Sequence, residues 1–151
     1  MIEVAAQIMK SSAKIPLPKE VVCGKEFTSE TPARTISIDE VEKDDMIMDV
    51  GPRSMKVIKN VIENAGTILW NGPLGVFEFQ NFANGTKELA EAIANSKAFS
   101  IAGGGDTLAA ISKFSVAEQI SYISTGGGAF LEFIEGKKLP AIEILEQRKS
   151  D

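Results

Sequence analysis

The stretch FSIAGGGDTLAAISKF, residues 99–114, decides the fold class. A short, mostly apolar run of strand length comes first, three glycines follow, and Asp106 and Thr107 then open a segment with apolar residues at helical spacing. A strand that turns through glycines into a helix is the building unit of an α/β protein. The same unit recurs on both sides of this stretch.

Further apolar runs alternate with amphipathic helices along the chain. Strands are predicted at residues 46–50, 67–71, 98–102 and 120–124, and helices after GPRS, after the loop GPLGVFEFQNFANG, after GGGDT and after TGGG. Ahead of them, residues 1–14 have helical spacing, IPLPKEVVCG contains a short strand, and residues 25–40 form a polar loop with room for one edge strand. The alternation, without a hairpin signal, predicts a Rossmann-like three-layer α/β/α fold with a mainly parallel sheet.

The composition excludes several classes of function. The 151-residue chain has a net charge of −5 and no histidine, so we expect no nucleic-acid or membrane partner, no imidazole general base and no imidazole metal ligand. Cys23 is the only cysteine, which excludes an internal disulfide, and we predict a buried structural thiol. No apolar run reaches the roughly 18 residues of a membrane span and no secretory signal is visible, so a cytoplasmic location is expected.

Glycine-rich loops follow three of the predicted strands: WNGPLGVFE, AGGGDT and STGGGA. Ligands of open parallel sheets bind at the carboxyl ends of the strands, so these loops are expected to lie along one edge. Glycine lets the backbone approach a ligand closely, and a helix N-terminus directs unpaired N–H groups at an anion. The loops are therefore predicted to bind phosphate, with tight strand-to-helix packing as the alternative explanation.

Neither common nucleotide fingerprint fits these loops. The dinucleotide pattern G-x-G-x-x-G would need glycine where Leu108 or Leu131 stands. A Walker-type loop needs Gly-Lys-Ser/Thr entering a helix, whereas Gly136-Lys137 is followed by Lys138. An NAD-dependent dehydrogenase and a P-loop enzyme are both disfavoured.

Polar side chains in the loops supply candidate ligand groups. Asp106 is either a helix N-cap or a Mg²⁺ ligand, since Mg²⁺ takes carboxylate and phosphate oxygens. Thr107 can donate to a phosphate through its hydroxyl or its N–H. Glu78 can accept from ribose hydroxyls or simply face water, and Asn71 can donate to phosphate or serve as a turn residue. Trp70 and the phenylalanines around its loop are predicted to belong to the core.

In order along the chain, DVGPRS, ILWNGPLGVFEF, AGGGDT and ISTGGGAFLEFIEGKKLP resemble the C-terminal part of the phosphoglycerate kinases, over residues 14–147. The resemblance implies that residues 1–151 are the C-terminal portion of that family's nucleotide-binding domain, without its N-terminal substrate domain. It implies Mg²⁺-dependent phosphoryl transfer between 1,3-bisphosphoglycerate and ADP, which gives 3-phosphoglycerate and ATP in glycolysis. The full-length protein is then expected to be a monomer.

The resemblance also implies roles for individual residues. The adenosine would be flanked by Gly72, Pro73, Gly75, Val76 and Phe77. The ribose would bind Glu78, and a phosphate would bind Asn71. Further phosphate contacts would come from Gly104, Gly105 and Thr107, with Asp106 at the Mg²⁺. The phosphoryl group in transit would meet the backbone N–H groups of the catalytic glycines Gly126, Gly127 and Gly128.

The chemistry so implied needs no histidine, because the acceptor carboxylate is already ionised near neutral pH and phosphoryl transfer depends on positioning and charge neutralisation. Arg34, Arg53 and Arg148 match none of the family's basic motifs. The isolated chain is therefore expected to bind Mg·ADP weakly, to be inactive alone and to expose an unpaired sheet edge. A non-catalytic nucleotide-binding module is the alternative; an open reading frame upstream of Met1 that encodes an Arg-rich domain would favour the enzyme.

Overall fold

The computed structural model describes residues 2–149, which form two three-stranded sheets. An antiparallel sheet has the order β2-β1-β3 and is built from β1 (Glu20–Gly24), β2 (Arg34–Ser37) and β3 (Met46–Val50). A parallel sheet has the order β4-β5-β6 and is built from β4 (Thr67–Trp70), β5 (Phe99–Ala102) and β6 (Tyr122–Ile123). The α/β class predicted from the sequence is confirmed.

Six α-helices accompany these strands within the described residues: α1 (Ile2–Met9), α2 (Pro52–Glu63), α3 (Asn84–Asn95), α4 (Gly105–Lys113), α5 (Gly128–Ile134) and α6 (Pro140–Lys149). Each predicted glycine turn leads into its helix, and Pro52 stands in the first turn of α2, where a missing N–H costs nothing. The predicted first helix ends early, at Met9, and Met1 lies outside the described residues. The apolar pattern did not predict α6.

One predicted strand belongs to a different sheet than expected. Residues 46–50 were expected to join the parallel series, but β3 pairs antiparallel with β1, with Val50 opposite Val21. A short apolar run has the same appearance in a buried parallel and a buried antiparallel strand, so the pattern could not separate the two. Parallel pairing is restricted to β4, β5 and β6 in the described part of the chain.

Two apolar cores lie beneath the sheets, and the segment between β4 and α3 connects them. The larger core packs α2, α3 and α4 against the inner face of the parallel sheet and includes Trp70 and Phe77. The smaller core, at the antiparallel sheet, contains Phe82, with Val76 packed against it. Neighbouring residues 76 and 77 therefore anchor the same loop in different cores. Cys23 is fully buried with a free thiol, as predicted.

The other face of the parallel sheet is exposed. Leu69, Phe99 and Tyr122 are 47%, 55% and 54% exposed, although parallel sheets are ordinarily covered on both faces. Within residues 2–149, β4 pairs only with β5 and so has an open edge. No helix in this range is long and apolar enough to cross a membrane.

Candidate functional site

Three loops meet at the carboxyl edge of the parallel sheet, as the sequence predicted. Trp70 pairs with Ala102, and Ala102 with Ile123. The residues that follow these strands therefore leave the sheet side by side. We call the segments the 72–78 loop, the 103–107 turn and the 125–128 turn.

Direct contacts join the 72–78 loop to the 103–107 turn. The backbone N–H of Gly72 donates to Thr107 Oγ1 at 2.6 Å, and Thr107 is fully buried. A Cβ built on Gly104 would lie 2.8 Å from Asn71 Oδ1, so the Asn71 side chain rests on that turn. The Thr107 hydroxyl thus connects two loops, and its backbone N–H has no acceptor among residues 2–149.

The 103–107 turn presents unpaired backbone donors. Gly104 has a φ of 95° and is the N-cap of α4. The N–H groups of Gly105, Asp106 and Thr107 follow it in the first helical turn, where N–H groups lack an intrahelical acceptor. The side chain of Asp106 is exposed and has no hydrogen-bond or ion-pair partner among residues 2–149. The N-cap alternative for Asp106 is wrong, because Gly104 occupies that position.

The 125–128 turn packs against its neighbour through an aromatic ring. A Cβ on Gly103 would lie 2.3 Å from Phe130 Cδ1, so only glycine fits under the ring of α5. Gly127 has a φ of 53° and precedes the helix. Gly126 N–H donates to Ser124 Oγ at 3.2 Å, whereas Gly128 N–H has no acceptor in the described part of the chain.

The 72–78 loop places its side chains in two environments. Trp70, just before the loop, and Phe77 are 4% and 5% exposed. They belong to the core, as predicted, and Trp70 Nε1 donates to Gly72 O at 2.9 Å. Asn71 and Glu78 are exposed. What the loop offers a ligand is its backbone, Pro73 and the polar groups of Asn71 and Glu78.

Three supporting residues were not identified from the sequence. Asp49 accepts the N–H of Gly85, Thr86 accepts two N–H groups of the loop, and Lys113 Nζ donates to Phe77 O. An acidic residue inside the apolar run 46–50 was the one available signal for Asp49. Thr86 and Lys113 resemble ordinary helix residues in the sequence.

The donor set at this edge fits a Mg²⁺ that is shared with phosphates. Residues 2–149 contain no group of three or more acidic, histidine or cysteine side chains that could enclose a metal ion. Mg²⁺ in nucleotide sites is held by one or two carboxylates together with phosphate oxygens. Asp106, exposed beside unpaired N–H groups, supplies one such carboxylate.

The fold and this edge define an α/β protein with unpaired backbone N–H groups at the ends of parallel strands. A family model, phosphoglycerate kinase, matches residues 1–137. The structure of phosphoglycerate kinase from Coxiella burnetii is similar with a TM-score of 0.86 and 49% identity, over 97% of this chain and 37% of that chain. Phosphoglycerate kinase from Pyrococcus horikoshii OT3 is similar with a TM-score of 0.73 and 36% identity, over 85% and 32%.

The chain belongs to the phosphoglycerate kinase family. It spans about a third of the length of these two solved chains, 37% and 32%.

Proposed function

We propose that this chain provides the nucleotide-binding part of a kinase that transfers a phosphoryl group between 1,3-bisphosphoglycerate and ADP, giving 3-phosphoglycerate and ATP. The observation that carries the proposal is the meeting of three strand-end loops in a member of this family, with unpaired N–H groups and a free carboxylate at one edge. Phosphoryl transfer is catalysed mainly by positioning and charge stabilisation, which is what such an edge supplies.

The residues of the site divide by chemistry. The 72–78 loop flanks the adenosine with Gly72, Pro73, Gly75, Val76 and Phe77, where Phe77 contributes through its backbone because its ring is buried. Glu78 accepts from the ribose hydroxyls, and Asn71 donates to a phosphate. The N–H groups of Gly104, Gly105 and Thr107 bind phosphate oxygens.

Asp106 holds the Mg²⁺ together with the phosphates. The bound metal supplies neutralisation of the charge that develops on the phosphate oxygens. Gly126, Gly127 and Gly128 direct backbone N–H groups at the phosphoryl group in transit, and Gly126 must release Ser124 Oγ to do so. Because the acceptor is a carboxylate, no side chain of this chain has to remove a proton.

The proposal treats residues 1–151 as the C-terminal portion of the nucleotide-binding domain of a cytoplasmic enzyme that is a monomer at full length. The exposed apolar face at Leu69, Phe99 and Tyr122 supports this, since a further part of the same domain would cover it. The phosphoglycerate is bound by an N-terminal substrate domain outside this chain. The chain alone therefore binds nucleotide weakly and does not turn over.

Calorimetric titration of the chain with Mg·ADP and with ADP alone tests the proposal. We expect measurable binding that is stronger with Mg²⁺, and loss of that Mg²⁺ dependence in Asp106→Asn. The matched control is Asp39→Asn, which removes an exposed carboxylate from the antiparallel-sheet side and should leave the Mg²⁺ dependence intact. Equal Mg²⁺ dependence in Asp106→Asn and the parent would contradict the metal assignment.

A coupled assay for ATP formation addresses the rest of the proposal. The 151-residue chain alone should show no turnover, because holding both substrates together contributes roughly 7–11 kcal/mol to catalysis and one substrate site is missing. Substantial ATP formation by the chain alone would refute this. A full-length protein that binds Mg·ADP and forms no ATP would instead identify a non-catalytic nucleotide-binding module.

A further inference from the structure

A buried carboxylate lies beneath the 72–78 loop. Asp49, near the end of β3, is 1% exposed. Its Oδ2 accepts the N–H of Gly85 at 2.7 Å, and its Oδ1 accepts the N–H of Val50 at 2.8 Å. No lysine or arginine of residues 2–149 forms an ion pair with it, so backbone dipoles alone offset the burial of its charge.

Asp49 caps α3 from another element. The residue before the helix, Ala83, offers no capping side chain, which would leave the N–H groups of the first turn without an acceptor. The carboxylate from β3 takes one of them, at Gly85. A negative charge at a helix N-terminus also interacts favourably with the helix dipole.

Two glycines leave room for this carboxylate. A Cβ on Gly75 would lie 2.3 Å from Asp49 Oδ1, and a Cβ on Gly85 would lie 2.2 Å from the same atom. Neither glycine is among the described residues with positive φ, so space and not backbone conformation explains them. The carboxylate therefore packs directly on the backbone of the loop and of α3.

The residues next to Asp49 and Gly85 hold the same piece of the loop. Met48 O accepts the N–H of Val76 at 2.8 Å. Thr86 Oγ1, fully buried, accepts the N–H groups of Leu74 and Gly75, each at 3.2 Å. Residues 74–76 are thus fixed by β3 on one side and by the first turn of α3 on the other. Asp49 is the contact that joins those two supports.

We propose that Asp49 is a positioning residue of the nucleotide site, acting through the 72–78 loop by locking β3, α3 and Gly75 together. The inference rests on the proposed function, because the loop matters only if it contacts the nucleotide. Asp49 is completely covered, so any effect it has on a ligand passes through the loop. Asp49 acts by fixing the backbone conformation of residues 72–78 in the protein without bound ADP.

Asp49→Asn tests the inference, because the variant keeps the shape but replaces one acceptor oxygen by an NH₂ group. One backbone N–H then loses its acceptor, which displaces the loop. We expect the dissociation constant for Mg·ADP to rise about tenfold at a temperature where circular dichroism shows the variant fully folded. Amide hydrogen exchange at residues 74–76 should become faster.

The matched control is Asp45→Asn. Asp45 also has a fully covered side chain in the same sheet region, but it pairs with Lys25 and Arg34 and not with the loop. Asp45→Asn should lower stability while leaving Mg·ADP affinity and exchange at residues 74–76 as in the parent. A residue with a purely structural role would behave like this control. Should Asp49→Asn fail to fold, the smaller Asp49→Ser, which adds no steric conflict, takes its place.

The outcomes separate this inference from the proposed function. If the parent binds and the Asp49 variant binds equally well, the inference is wrong and the site stands. If the parent does not bind Mg·ADP, the proposed nucleotide site is wrong, and so is the inference that Asp49 positions it. In that case exchange at residues 74–76 still shows whether Asp49 holds the loop. Asp49→Asn could also show faster amide exchange at residues 74–76 but bind Mg·ADP as tightly as the parent. That result would overturn the inference, because the loop would be loosened with no effect on nucleotide binding.

Discussion

The 72–78 loop and the 103–107 turn follow neighbouring strands of one sheet, yet they are held in place differently. The loop is supported by side chains from distant parts of the chain. Thr86 from α3 and Thr107 from α4 accept its N–H groups, and Asp49 from β3 packs against Gly75. The turn is shaped mainly by its own backbone, with Gly104 at positive φ and a helix directly behind it, although Phe130 and Asn71 also contact it. A long loop without regular backbone hydrogen bonds needs support from other elements, whereas a turn at a helix N-terminus already has its N–H groups oriented by the helix.

The largest effect should come from Gly85→Ala, which introduces a Cβ against the Asp49 carboxylate. Alanine favours helices over glycine by about 1 kcal/mol, yet we expect a net loss of about 1–3 kcal/mol in the free energy of unfolding, because the covered carboxylate cannot move aside. Urea denaturation measures the change. Gly105→Ala is the matched control in the first turn of α4, where a Cβ meets no atom within 4 Å. Equal stability of the two variants would show that Asp49 does not restrict Gly85.

Thr107→Val should have the next largest effect. The substitution keeps the volume but removes the oxygen that accepts Gly72 N–H at 2.6 Å. A partly buried N–H without an acceptor costs about 1–3 kcal/mol, so the free energy of unfolding should fall by about that amount and Mg·ADP binding should weaken with it. Thr107→Ser retains the hydroxyl and should preserve binding. Parent-like stability in Thr107→Val would mean that the two loops are not coupled through this bond.

Acid titration should separate two aspartates, Asp45 just before β3 and Asp49 within it. The Glu42 N–H, followed by Lys25 and Arg34, lowers the pKa of Asp45 to about 2, whereas burial raises the pKa of Asp49 above its ordinary value of 3.8. Glu88, which itself pairs with Lys59, adds to the second shift, and the N–H groups of Gly85 and Val50 oppose it.

The two shifts have opposite signs for stability. Asp45 stabilises the fold above its unfolded pKa, and that contribution is lost as the pH falls from 3.8 through about 2. Asp49 binds its proton more tightly when folded, so the parent should gain stability relative to Asp49→Asn as the pH falls toward 3.8. Unfolding curves of the parent, Asp45→Asn and Asp49→Asn from pH 7 to about 2 measure how the stability of each variant changes relative to the parent. The same slope for both aspartates would contradict the account of their surroundings.

The smallest effect on stability is expected for Gly105→Ala. Alanine meets no neighbour there, so the free energy of unfolding should be unchanged or rise by up to about 1 kcal/mol. Under the proposed function, phosphate oxygens bind the N–H groups of this turn and the new methyl group crowds them. Mg·ADP affinity should therefore fall about tenfold, measured by calorimetry. If Gly105→Ala binds Mg·ADP as tightly as the parent, the 103–107 turn does not bind the phosphates.

The sequence predicts the parallel half of the molecule better than the antiparallel half. Strand, glycine turn and helix are adjacent in residues 99–114, so the local pattern contains the whole unit. The partner of β3 is β1, more than twenty positions earlier, and no local signal marks that pairing. The role of Asp49 could not be predicted for the same reason, because its contact with Gly85 spans 36 positions of the sequence. Asn71 and Asp106 became candidates because they stand beside glycines, and Glu78 because it is a charged residue between two phenylalanines. The residues that support the loop are buried elsewhere in the chain and carry no such local signal.

A titration of ¹⁵N-labelled protein with Mg·ADP, followed by amide chemical shifts, tests the central claim most directly. The account predicts that shifts concentrate together in three segments, residues 71–78, 103–107 and 126–128, with β1 and β2 unaffected. In Asp49→Asn the shifts at residues 72–78 should shrink while those at residues 103–107 remain. Shifts confined to other surfaces, or none at millimolar nucleotide, would contradict the claim that these three loops form one nucleotide site.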